Sequence, residues 1–289
     1  MIKCIASDMD GTLLNSRQTI SEENRAAINQ AQESGVEFVI STGRSYQEVT
    51  YLLENTGIQC PVICSNGAEV RSETGERIAS FSLQRDLANE IGDYLDQMGM
   101  YFEVYTIDGT YIKDYEEGLE TVINIFASAN PHFDKEQFLK NAKERIEEGR
   151  VRIVDDYQFI FADPSIEILK FLAFSLDKGI LDTVDQGLKK WDVAVSSSGY
   201  DNLEITNIQA QKGIALETFV KSKNIEMKET MAIGDSYNDL SMFARVGISV
   251  AMGNANAEIK KHCDRVTATN NEHGVAKAIL EALQIGNIR

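Results

Sequence analysis

Apolar residues in this chain gather into short runs that end in acids, hydroxyls and glycine, and longer segments of spaced apolar residues separate them. Residues 2–6 form the first run, interrupted by one charge at Lys3, and lead into Ser7-Asp8-Met9-Asp10-Gly11-Thr12. A run of that length ended by a glycine turn reads as a buried strand. Ser21 then stands as N-cap to alanines and spaced apolar residues through Gln32, closed by Gly35, which predicts a helix. The cycle repeats. Residues 36–40 predict a strand ending in Ser41-Thr42-Gly43-Arg44, residues 46–53 a helix, and residues 61–64 a strand ending in Ser65-Asn66-Gly67-Ala68. Strand, polar glycine loop and helix in alternation describe a parallel sheet with helices on its faces, where ligands bind at the carboxyl ends of the strands.

The middle of the chain follows a different rhythm. Residues 101–105 and 110–113 flank Asp108-Gly109, a hairpin signal. Helices are expected over 120–129 and 138–148, a strand over 167–174, a helix around 181–190, and a second hairpin pairing 193–197 with 203–206. Antiparallel strands with helices predict a separate α+β unit over residues 83–207, inserted into an α/β core made of residues 1–82 and 208–289. The alternation then resumes. Lys212-Gly213 opens a helix through Val220, and residues 230–233 predict a strand ending in Gly234-Asp235-Ser236-Tyr237-Asn238-Asp239. A helix is expected over 240–245, a strand over 247–251 ending in Met252-Gly253-Asn254-Ala255, and a last helix over 275–283.

Composition narrows the possible functions. With 43% hydrophobic and 25% charged residues among 289, the chain reads as globular and long enough for two moderate domains. A net charge of -17 argues against a general nucleic-acid or acidic-membrane binder, because such proteins neutralise phosphates with Lys and Arg. No run approaches the roughly 20 apolar residues of a membrane span, and the first residues lead into a strand without the apolar segment of a secretory signal. Cys4, Cys60, Cys64 and Cys263 make no paired metal-ligand set, so reduced thiols in a cytoplasm are expected.

The loop residues supply the chemistry. In an extended backbone Asp8 and Asp10 project to the same side, because the period is two. Like charges about 4 Å apart repel by about 4 kcal/mol at an effective dielectric near 20. A divalent cation or a retained proton is expected to offset that repulsion. If the strand ends converge, one site holds Asp8, Asp10, Thr42, Lys212, Asp235 and Asp239. Acids with one lysine and a hydroxyl suit metal-assisted phosphoryl transfer. The chain has no Gly-x-Ser-x-Gly elbow, no Gly-x-x-x-x-Gly-Lys-Ser/Thr phosphate loop and no dinucleotide glycine fingerprint. Tyr94, Tyr101, Phe102, Tyr105, Tyr111 and Tyr115 are expected in core and sheet-surface packing. Glu116-Glu117 and Glu147-Glu148 are expected on solvated faces, and His262 and His273 at the surface.

On these residues the sequence resembles the haloacid dehalogenase superfamily, and within it the Cof-type phosphatases that carry a class IIB cap. The family's Asp-x-Asp-Gly-Thr is met by Asp8 to Thr12, its Ser or Thr before Gly-Arg by Thr42, its lysine before glycine by Lys212, and its Gly-Asp-x-x-Asn-Asp by Gly234 to Asp239. Met252-Gly253-Asn254-Ala255 fits a later family loop. The resemblance implies a Rossmann-like core, with residues 83–207 as a cap that closes over the leaving group and sets specificity. It further implies Asp8 as nucleophile, Asp10 as general acid and base, and Mg²⁺ held by the Asp8 carboxylate, the Asp10 carbonyl and Asp235. Thr42 and Lys212 would bind the phosphoryl oxygens, Gly43, Arg44, Asn66 and Asn238 would contact or support substrate, and Asp239 would steady the metal waters or Lys212. Two departures stand out: Gln209-Ala210-Gln211 replaces the usual Gly-Val pair and small polar residue before the lysine, and His273 stands where an aspartate is common. The expected activity is a Mg²⁺-dependent phosphatase acting on a small phosphorylated metabolite, a sugar phosphate or phosphorylated cofactor. A phosphosugar mutase and a non-catalytic phosphometabolite sensor are the alternatives.

Overall fold

The computed structural model describes residues 1–113, 116, 118–120, 123, 135–197 and 201–287. The chain divides into two units, Met1–Ser80 with Gln209–Arg289, and Phe81–Ile208.

In the first unit β1 (Cys4–Ser7) is buried along its whole length, because it lies between two parallel neighbours with helices on both faces. Those neighbours are β2 (Glu37–Ser41) and β12 (Thr230–Gly234). Beyond β2 come β3 (Val62–Cys64), β4 (Glu69–Arg71) and β5 (Arg77–Ser80); beyond β12 come β13 (Ile248–Ala251) and β14 (Arg265–Val266). All pairings are parallel except those of β4 with β3 and with β5. The period of two then divides the strands between two cores. Ile5, Phe38, Ile40, Met231 and Ile233 pack with the helices Glu22–Glu33 and Gly274–Asn287. Cys4, Ala6, Val39, Ile63 and Ala232 pack on the other face with the helix Lys212–Ser222. Ser21 caps the helix Glu22–Glu33 by accepting from the Asn24 N–H, as its position predicts.

β4, β5 and β14 lie outside the elements expected from the hydrophobic pattern. Each is four residues or fewer, and β4 carries Glu69 and Arg71, which pair at 2.6 Å. Short strands interrupted by charge, at or next to a sheet edge, leave no apolar run to read.

In the second unit the sheet order is β10 (Val193–Ser196), β11 (Asn202–Asn207), β9 (Ile168–Phe174), β6 (Tyr101–Thr106), β7 (Gly109–Ile112) and β8 (Val151–Ile153). The hairpin at Asp108-Gly109 forms as predicted, and Thr106 Oγ1 fastens it by donating to Gly109 O and accepting from Asp108 N–H. One face carries Phe102, Val104, Phe171, Ala173, Leu203 and Ile205 into a core with the helices Arg85–Gln97 and Lys178–Leu188. The helix Arg85–Gln97 adds to the expected elements, burying Ala88, Ile91 and Leu95 at helical spacing. The opposite face carries a buried ion pair, Lys170 Nζ to Glu204 Oε2 at 2.8 Å, with Lys170 4.3 Å from the centre of the Tyr105 ring. Of the aromatics, Phe102 and Tyr111 are in the core, and Tyr101 stacks on Phe174. The expected helix over 120–129, Tyr115 and Glu117 lie mostly or wholly outside the described residues. Glu116, Glu147 and Glu148 are exposed. Among the described residues no helix is long and apolar enough to cross a membrane.

Candidate functional site

The site is built where β1 and β12 end side by side. Asp8 N–H donates to Ile233 O at 2.9 Å, so the chain leaving β1 is tied to β12 before it turns. It turns through a wide helical loop, Met9–Leu13, whose Gly11 has φ +72. A Cβ at Gly11 would lie 2.5 Å from Asp235 Oδ2, so only glycine lets the turn approach that carboxylate. Thr12 Oγ1 donates to Asp235 Oδ1 at 2.8 Å and closes the turn on it.

Asp239 is fully buried and both its oxygens are engaged. Oδ2 accepts from the N–H groups of Asp235 and Ser236, each at 3.0 Å, and Oδ1 accepts from Lys212 Nζ at 2.7 Å. Lys212 is the first residue of its helix. The helix start sits hard against residue 241: Gly213 N–H donates to Ser241 Oγ, and a Cβ at Gly213 would collide with Ser241 O. The Gln209-Ala210-Gln211 departure leaves this arrangement intact, with Ala210 buried and Lys212 Nζ also donating to Asp8 Oδ1 at 2.6 Å.

These contacts fix the electrostatics. Burial disfavours the charged form of Lys212, but Asp239 and Asp8 outweigh it and hold the ammonium protonated well above its ordinary range. One lysine cannot balance three acids. Burial raises the Asp8 carboxyl well above its usual value despite Lys212, and Asp239 and Asp235 push the same way. Burial, then Asp239, raises Asp235 to about 6. Asp8, Asp235 and Asp239 offer carboxylate oxygens that all lie within 4.8 Å of one another. Asp239 is already committed, so Asp8 and Asp235 are the pair left with excess negative charge. An all-oxygen, charge-rich donor pair of this kind fits a hard divalent cation.

Asp10 lies in the turn after β1 and not in the strand itself. The strand ends at Ser7 and the helical turn begins at Met9, so the period of two does not reach Asp10. Its carboxylate is held instead by Arg44: Nε donates to Oδ2 and Nη2 to Oδ1, each at 2.6 Å. Arg44 Nη2 also donates to Gln18 Oε1 at 2.8 Å. This fork across 34 residues was not signalled by spacing, and neither was the Thr12 bond to Asp235; the only hint of the latter is a hydroxyl two residues after the second acid.

Thr42 follows β2, is buried, and its Oγ1 accepts from Arg44 N–H at 3.2 Å. Gly43 lies between the two. After β3, Ser65 and Asn66 both adopt left-handed φ, 47 and 57, conformations that non-glycine residues hold only when their surroundings impose them. The surroundings are Arg44 O and Thr42 O, which accept from the N–H groups of Ser65 and Asn66. Asn66 Oδ1 accepts from Asn238 Nδ2 at 3.2 Å, and buried Asn238 Oδ1 has no partner among the described residues. The structure therefore brings Asp8, Lys212, Asp235 and Asp239 into direct contact, Asp10 onto Arg44, and Asn66 onto Asn238. His273 lies apart, left-handed at φ 60, with Nδ1 2.9 Å from Ser21 Oγ and 3.3 Å from a Glu23 carboxylate oxygen.

Known proteins resemble this chain over nearly its whole length. Residues 5–279 match the family of haloacid dehalogenase-like hydrolases. The phosphatase YwpJ of Bacillus subtilis is 37% identical over 281 residues, covering 95% of this chain and 98% of that protein. The 5-amino-6-(5-phospho-D-ribitylamino)uracil phosphatase YwtE of the same organism is 38% identical over 285 residues, 98% of each. A solved haloacid dehalogenase-like hydrolase from B. subtilis superposes with a TM-score of 0.86 at 36% identity, covering 96% of this chain and 99% of that one.

Proposed function

Because the chain belongs to the haloacid dehalogenase-like hydrolases, we propose that it is a Mg²⁺-dependent phosphatase that hydrolyses a small phosphorylated metabolite through an aspartyl-phosphate on Asp8. The observation that carries this reading is the buried Lys212 ammonium, 2.6 Å from Asp8 and 2.7 Å from Asp239, with Asp235 completing the acids. An anion whose charge has to be shared among these groups supports a site for a phosphoryl group rather than a turn of solvated acids.

In the first step an Asp8 oxygen forms a bond to phosphorus while the bond from phosphorus to the leaving oxygen breaks, and Asp10 gives that oxygen its proton. In the second, Asp10 takes a proton from a water that attacks the same phosphorus. The bond to Asp8 breaks, inorganic phosphate leaves and the carboxylate is restored. Lys212 engages Asp8 Oδ1 and so fixes the direction of the attacking carboxylate. With Thr42 it also binds the transferring phosphoryl oxygens, where charge develops. Arg44 aims the Asp10 carboxylate through two bonds from a planar fork. Asp8, the Asp10 carbonyl and Asp235 would hold the cation. Its contribution is charge neutralisation, so that an anionic nucleophile can approach an anionic phosphate. Nucleophile, acid and cation together suit a reaction that enzymes accelerate by up to about 10²¹-fold. Residues 83–207 are assigned the choice of leaving group.

The test is release of inorganic phosphate from a panel of sugar phosphates, phosphorylated cofactors and the ribitylaminouracil phosphate named for one relative, with and without Mg²⁺. Turnover that needs Mg²⁺ and vanishes in Asp8→Asn is expected. A folded Asp8→Asn variant with full activity would refute the covalent route.

A further inference from the structure

We propose that Asn254 and Asn270 are positioning residues that bracket the acid-bearing turn Met9–Leu13 and hold it in its working conformation. The inference rests on the phosphatase reading above for its activity readout, and its geometry stands independently. Asn254 Nδ2 donates to Gly11 O at 2.8 Å, and its Oδ1 accepts from the Asn270 N–H at 2.9 Å. Asn270 Nδ2 in turn donates to Leu14 O at 2.9 Å. A carbonyl can only accept and an N–H can only donate, so these partners fix the orientation of the Asn254 amide. Asn271 Oδ1 extends the bracket by accepting from Ser16 N–H at 3.0 Å.

The bracket is itself anchored. Gly253 N–H donates to Ala268 O at 2.9 Å, Lys260 Nζ donates to Gly253 O at 2.6 Å, and Ala255 N–H donates to Met252 O at 3.0 Å. The loop after β13 and the loop after β14 are thereby joined, and together they grip the turn after β1.

Stability is a poor reason for this arrangement. Asn254 is exposed, and an exposed hydrogen bond exchanges readily with water for little net gain. Direction is a better one. Gly11 has no side chain to restrain its peptide, and it holds a positive φ that a residue with a side chain would resist. Its neighbours are Asp10, aimed by Arg44, and Thr12, bonded to Asp235. Rotation of the Gly11 carbonyl would swing both, and Asn254 is the side chain that holds that carbonyl.

The experiment compares the full chain with Asn254→Ala, Asn254→Asp, Asn270→Ala and the double alanine variant. Turnover, thermal midpoint and hydrogen exchange are each measured. A small misplacement of catalytic groups can lower a rate by about 100-fold, so kcat of Asn254→Ala should fall about 10- to 100-fold with KM within about twofold. Its midpoint should stay near the wild-type value. Exchange across residues 9–16 should quicken while β1 and β12 stay protected. Asn254→Asp should behave like the alanine variant, because it can accept from Asn270 but cannot donate to Gly11. The double variant should be no worse than the worse single one. Unchanged exchange across 9–16 in Asn254→Ala overturns the bracket, whatever the activity. So does a rate loss accompanied by equal loosening of β1 and β12, which marks a general structural role. If the wild type releases no phosphate from the panel while Asn254→Ala still loosens 9–16, the phosphatase reading falls and the bracket stands.

Discussion

Replacing Lys212 with methionine removes the ammonium that pairs with Asp8 and Asp239 while nearly keeping side-chain volume. At 2.6 and 2.7 Å, each Lys212 contact is worth roughly 6 kcal/mol of attraction at an effective dielectric near 20. Desolvation of these buried ions cancels much of that sum. What a variant feels is the stranding of the partners, about 3–5 kcal/mol when one member of a buried pair is removed. For a chain of this size the loss corresponds to a fall in thermal midpoint of about 10 °C. A second substitution separates charge from packing. Asp239→Asn keeps an oxygen for the Asp235 and Ser236 N–H groups but removes the charge. In the Lys212→Met background it should therefore restore about 1–3 kcal/mol. Urea unfolding of the four proteins of this cycle, followed by tryptophan fluorescence and circular dichroism, measures the coupling. A Lys212→Met protein within about 1 kcal/mol of wild type, or a strictly additive double variant, would refute the claim that Lys212 balances buried acids.

Mg²⁺ should raise the thermal midpoint of the wild type, by the equivalent of about 2.7 kcal/mol at a hundredfold excess over its dissociation constant, and Asp235→Ala should abolish the rise; an equal rise in both would exclude Asp235 as a ligand. Tyr157→Phe in the inserted unit strands Phe102 O, to which the hydroxyl donates at 2.7 Å, and Lys113 N–H, from which it accepts at 3.1 Å, so urea unfolding should become easier by about 1–3 kcal/mol, and an unchanged midpoint would show that neither group depends on the hydroxyl. The N–H and hydroxyl of Ser249 hold the Asp264 carboxyl below the usual range, so its contribution to stability is present above the unfolded value of about 3.9 and disappears as pH falls through the lower folded value. Asp264→Ala should accordingly lower the thermal midpoint at pH 7, with the difference from wild type shrinking as the solution is acidified; a difference that grows toward acid pH would contradict the sign. Gly11→Ala should lose both turnover and the Mg²⁺-induced shift, since its Cβ would collide with Asp235 Oδ2 at a positive φ; retention of either would show that the turn can relax.

The core was legible because its strands are buried on both faces. Residues 36–40 and 230–233 are nearly unbroken apolar runs, and each ends in loop chemistry that has no place inside a strand. Lys212 could be placed at a helix start from the glycine beside it, and the structure shows Gly213 pressed against Ser241 O. The placement of Asp10 was less legible, because β1 stops at Ser7 and a turn has no period of two. The Arg44 fork on Asp10, Thr12 on Asp235 and Asn254 on Gly11 are tertiary contacts between loops, and local pattern carries no record of which loop meets which. The strands β4, β5 and β14, at or next to the sheet edges, are hard to read for the opposite reason: each is too short, and too interrupted by charge, to show an apolar run.

The central claim is that Asp8 carries the phosphoryl group. Turnover quenched in acid and reduced with borohydride converts an aspartyl-phosphate into homoserine, which peptide mass spectrometry can locate. The account predicts homoserine at position 8, dependent on substrate and absent from Asp8→Asn. Steady phosphate release with reduction at another carboxylate, or with none, would contradict it.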